Sequence, residues 1–81
     1  MTDFTQERAH LALADRHVDE EERRIAAQTL IVARTSACGQ DTSLAVGMLR
    51  MLEDRLMQAR GHREAILRHL ARAVPATPAQ P

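Results

Sequence analysis

Eighty-one residues with eleven arginines, no lysine and eleven acids make one small chain of zero formal net charge. That balance argues against a nucleic-acid binder or a protein held on an acidic membrane surface, both of which carry a clear basic excess. There is no Trp or Tyr and one Phe, so the apolar weight rests on fourteen Ala with Leu, Ile, Val and Met.

The same composition limits the fold class. No β-branched alternating run supports a strand, and the expectation is all-α. The lone Cys38 rules out an internal disulfide. The longest apolar run, Leu30 to Ala33, is far too short to span a bilayer. The amino terminus lacks the basic start and apolar core of an export signal, and a soluble cytoplasmic protein is expected.

In chain order, Asp3 followed by Gln6 reads as a capping box, with Thr2 or Asp3 opening the first helix. Leu11, Val18, Ile25 and Val32 then recur every seven residues, with Ala14 between the first two. The intervening positions turn polar: Glu21 or Glu22, then Gln28 or Thr29. This pattern predicts one long helix over about 4–37. Within it, Asp19, Glu20, Glu21 and Glu22 precede Arg23 and Arg24. Asp19 with Arg23 and Glu20 with Arg24 stand at the i, i+4 spacing of a solvated helix face.

Of three glycines only Gly39 interrupts a pattern, while Gly47 and Gly61 lie within one. Gly39 can take the left-handed conformation that ends a helix, and Asp41 or Thr42 can cap the next. A second helix is predicted over about 42–73. Its seam is the clearest feature of the chain: Ala45, Leu49, Leu52, Leu56, Ala59, Arg63, Ile66, Leu70 and Ala73 alternate steps of four and three. Pro75 stops it, and residues 75–81 read as a disordered tail after one hairpin domain over 1–74.

Two helices of about 45–50 Å joined by so short a loop must run antiparallel. With the turn near residue 40, facing positions add up to about 80. Ile25 then lies near Arg55 and Leu56, Val18 near His62 and Arg63, and Leu11 near Leu70. Arg63, the polar interruption in the second seam, falls close to His17, Glu20 and Glu21. The simpler reading is an Arg–Glu pair that fixes register; a binding role for Arg63 is the alternative. Residues 1–41 carry eight acids and five Arg, residues 42–81 three acids and six Arg, which favours the halves lying side by side.

Beside each seam runs a second stripe, offset in the same sense. On the first helix it holds His10, Leu13, His17, Arg24, Gln28 and Ile31. On the second it holds Leu44, Met48, Met51, Arg55, His62 and His69. In an antiparallel pair these stripes share one side of the hairpin, apolar near the turn and histidine-bearing at the far end. Such a face predicts self-association as a homodimeric four-helix bundle, with Ile31, Leu44, Met48, Met51 and Arg55 at the interface. A different protein docking there is the other possibility.

His10, His17, His62 and His69 invite a metal- or pH-responsive reading. Their two pairs are about 10 Å apart along the helix axis, too far for four ligands on one ion. Helix-face histidines among Arg and Glu are the plainer account, and no cofactor is implied. Arg60, Arg63, Arg68 and Arg72 make one end basic without aromatic residues to stack bases, so no nucleic-acid partner is expected. No catalytic constellation or phosphate loop is present, and a non-enzymatic protein is expected.

The runs H-V-x-x-E-E-R-R-I-A-x-Q (His17 to Gln28), G-x-D-T-x-x-A-V (Gly39 to Val46) and G-H-R-x-x-I-L (Gly61 to Leu67) resemble small bacterial helical-hairpin proteins with no assigned activity. The resemblance spans about residues 8–70. It implies a helical hairpin and no catalytic residues. Together these readings predict an interaction or regulatory module, with a histidine-face metal- or pH-responsive binding protein as the alternative.

Overall fold

A computed structural model describes residues 4–73. Two helices fill almost all of this span: α1 (Phe4–Ala37) and α2 (Ser43–Ala73). They lie antiparallel in one layer, the thinnest extent of the molecule being 14 Å. No strand occurs among the described residues. The expected cap at Thr2 or Asp3 and the expected tail over 75–81 lie outside them.

The turn explains both helix ends. Gly39 has φ 70°, a left-handed conformation that Cβ-bearing residues adopt only with strain. The reversal lets the Gln40 N–H donate to the Thr35 carbonyl (3.0 Å) and the Gly39 N–H to the Ser36 carbonyl (2.9 Å), satisfying groups that the end of α1 would otherwise orphan. At the start of α2, the Thr42 carbonyl accepts from the Val46 N–H at 2.8 Å, which makes Thr42 the cap residue. Asp41 Oδ1 accepts from the Ser43 hydroxyl (2.7 Å) and the Ser43 N–H (2.9 Å). These two bonds, the hydroxyl first, hold the Asp41 carboxyl below its ordinary value.

The seams meet as the heptad spacing requires. On α1 the residues withdrawn from solvent include Leu11, Ala14, Val18, Glu21, Ile25, Gln28 and Val32. On α2 they include Ala45, Leu49, Leu52, Leu56, Ala59, Arg63, Ile66 and Leu70. Glu21 and Gln28, and neither Glu22 nor Thr29, fill the polar positions of the first seam. Yet among the described residues only Ala14, Ile66, Glu21 and Gln28 are buried, and the leucines of the seams stay half-buried. The reason is geometric: in a single layer each helix has one neighbour, which covers the seam and leaves both flanks wet. Half of the buried set is polar.

Those two polar residues are handled differently. Gln28 Nε2 crosses to α2 and donates to the Ala45 carbonyl oxygen at 2.9 Å. Glu21 Oε1 accepts from Arg24 Nη1, three residues on. Its other oxygen, Oε2, is buried without a hydrogen-bond partner among the described residues.

Candidate interaction face

The two flanks of the hairpin are not alike. Along one, Arg60 Nη2 reaches Glu22 Oε2 at 3.2 Å and Arg63 Nε donates to Asp15 Oδ1, so that α2 is tied to α1 twice. Both pairs are well exposed and contribute at most about 1 kcal/mol each. Their effect is to fix register and to close that edge. Here two expectations are corrected. Arg63 pairs with Asp15 rather than with His17, Glu20 or Glu21, because its long stem leaves the seam on the Asp15 side before the guanidinium meets water. Arg24 pairs with Glu21 and not Glu20, because the seam-facing carboxylate is the one withdrawn from solvent. Asp19 and Arg23 do pair, at 3.0 Å.

The opposite flank is open. Near the turn Gln28, Ile31, Thr35, Leu44, Ala45 and Met48, with Asp41 as the one charged member, line a mainly apolar groove of about 320 Å³. Midway along the hairpin His17, Glu20, Glu21, Arg24, Arg55 and Gln58 line a polar groove of about 480 Å³. His17, Arg24 and Ile31 recur every seven residues on α1, as do Met48 and Arg55 on α2, so both grooves are stretches of one face.

Of the five residues expected at an interface, Ile31, Leu44 and Met48 line the apolar groove and Arg55 the polar one. Met51 lies exposed between them by helical position. Leu44 is the extreme case, an apolar side chain 80% exposed at the start of a helix. Leu13 is exposed further along the same side, whereas Leu30 and Met57 stand at outward-facing positions.

His10, His17, His62 and His69 are all exposed. His10 Nδ1 lies 3.7 Å from Glu7 Oε1. Among the described residues no three His, Cys, Asp or Glu side chains come together as a ligand set. Successive histidines stand two helical turns apart, beyond the span of one coordination sphere. Cys38 is a free, exposed thiol at the turn. No helix among the described residues is long and apolar enough to cross a membrane.

Sequence reasoning left two features of this face undecided. Glu21 and Gln28 continue the heptad of Ala14, which marks them as seam residues, but their neighbours Glu22 and Thr29 fit nearly as well. The unpartnered oxygen of Glu21 leaves no trace in the sequence at all. No protein-family model matches this chain, and neither the curated proteins nor the solved structures contain a match to it.

Proposed function

We propose that the chain is a non-enzymatic interaction module that self-associates through its open face as a homodimeric four-helix bundle. What carries this reading is the mismatch between the two flanks. One is closed by interhelical ion pairs; the other leaves Leu13, Ile31, Leu44, Met48 and Met51 in water beside a seam with two buried apolar residues. Full burial of a Leu, Ile or Met side chain is worth about 1.5–3 kcal/mol, more than either ion pair. A single layer of this size has little else to hold it.

The area available also suits a dimer. Two helices of about 46 Å, each about 10 Å wide, offer roughly 900 Å² on one face. A standard stable interface takes about 800 Å² per partner. Closed two-fold dimers are the commonest way for such a face to be covered by its own kind. Sedimentation equilibrium across the micromolar range tests the reading: a dimer is expected, and a monomer at high micromolar concentration would remove it.

A further inference from the structure

Building on the dimer just proposed, we infer that the two hairpins meet with their turns at the same end, α1 over the partner's α2, and that the partner's Arg55 completes the site of Glu21. The starting observation is the Glu21 carboxylate. Its side chain is nine-tenths buried, Oε1 is taken by Arg24, and Oε2 has no partner among the described residues. Leaving a buried charged oxygen unpaired is unfavourable by more than most single hydrogen bonds return, so a donor arriving from outside is strongly favoured. The residue lines an open groove, and that is where a donor can arrive.

Open face to open face, two hairpins can be related by a two-fold axis in two ways. An axis parallel to the helices stacks α1 on the partner's α2 and keeps every residue at its own level. An axis across the helices stacks α1 on α1 and α2 on α2, with levels reversed about the midpoint. Three observations favour the first. Helix α1 carries six acids and five Arg, α2 three acids and six Arg, so the crosswise arrangement sets one basic helix on its copy. Glu20 and Glu21 stand at the middle of α1, so reversal about the midpoint sets them against the same two acids. Reversal also lays the apolar groove of Ile31, Leu44 and Met48 against the histidine-bearing end, whereas the parallel axis lays it on itself.

Level then selects the donor. Arg55 lines the same groove as Glu21 and Arg24, so it stands at their height, and the parallel axis preserves that height across the interface. Among the described residues no hydrogen bond or ion pair engages Arg55. A guanidinium has donors to spare for a second carboxylate oxygen. Each copy would give one such contact and receive one, as a two-fold interface requires.

The native Cys38 makes the arrangement measurable without further substitution. Spin labels on Cys38 of the dimer are expected within about 25 Å of each other, two helix diameters. With turns at opposite ends they would stand about 50 Å apart, the length of a 34-residue helix, and that distance would overturn the inference while leaving the dimer intact. The Glu21 contact is read separately. Arg55→Glu is expected to weaken dimerisation by at least roughly tenfold, with Arg50→Glu, an exposed site on the outward side of α2, changing it little. Equal effects from the two variants would sink the Arg55 assignment. A monomer in the unaltered protein would sink both this inference and the function it rests on.

Discussion

Gln28 and Ala45 join the two helices close to the turn, the side-chain amide of one donating to the backbone carbonyl of the other at 2.9 Å. The bond sits in a nearly water-free position, where Gln28 is 6% exposed. A buried hydrogen bond contributes about 1 kcal/mol net, and each buried methylene of the stem about 0.8 kcal/mol. Gln28→Ala is therefore expected to lower stability by about 2 kcal/mol. Urea unfolding at one fixed protein concentration checks this, since oligomers gain stability with concentration. An unchanged midpoint would mean that the amide contributes nothing.

The glycines sort by backbone conformation. Gly39 holds φ 70° with nothing within 4 Å of a would-be Cβ, so alanine there meets no clash but must take the left-handed region. Gly39→Ala is expected to cost about 1 kcal/mol for that reason alone. Gly47 and Gly61 are inside α2, fourteen residues apart on its outward side, and also have open space around them. Alanine at either is expected to add about 0.5–1 kcal/mol by restricting the unfolded chain and favouring helix. Thermal melts of the three variants should move in these opposite directions.

Asp41 provides a pH dependence whose sign is fixed. The Ser43 hydroxyl and N–H stabilise its charged form, so its folded value lies below the ordinary 3.8. A depressed carboxyl contributes stability that is present above the unfolded value and lost as pH falls through the folded one. Helicity of the unaltered protein should therefore drop more steeply below pH 4 than that of Asp41→Asn. Circular dichroism between pH 5 and pH 2 makes the comparison, and superimposable acid limbs would count against the Asp41 contact.

Much of this architecture follows from spacing alone. The end of α1 at Ala37 agrees with a break at Gly39, and α2 begins at Ser43 because Thr42 stays outside as the cap. Register was legible too, since Arg60 opposite Glu22 and Arg63 opposite Asp15 straddle the expected alignment. The choice between Glu21 and Glu22 was not, because adjacent helical positions differ by 100° and a polar seam gives no apolar signal to separate them. Nor was the partner of Arg63: a side chain that long can leave a seam by either edge, and local carboxylates decide which. The contrast between a closed and an open flank depends on side-chain reach of this kind, and periodicity does not encode it.

That contrast gives the most direct test of which surface is used. Leu44 and Met48 line the apolar groove of the open face, while Leu30 is comparably apolar and exposed but stands on the outward side of α1. If the open face is the contact, Leu44→Glu and Met48→Glu each forfeit the burial of one apolar side chain and force a charge into the interface. A two-fold dimer carries each substitution twice, so the lost burial alone, about 3–6 kcal/mol, corresponds to a dimer roughly a hundred- to ten-thousandfold weaker. Leu30→Glu changes charge and hydrophobicity by the same amount outside the face and should leave association within about twofold of the parent. Sedimentation across a dilution series separates these outcomes. Should Leu30→Glu dissociate the protein while Met48→Glu does not, the contact surface lies on the opposite side of α1, and the ion-paired flank would have to be reconsidered as its border.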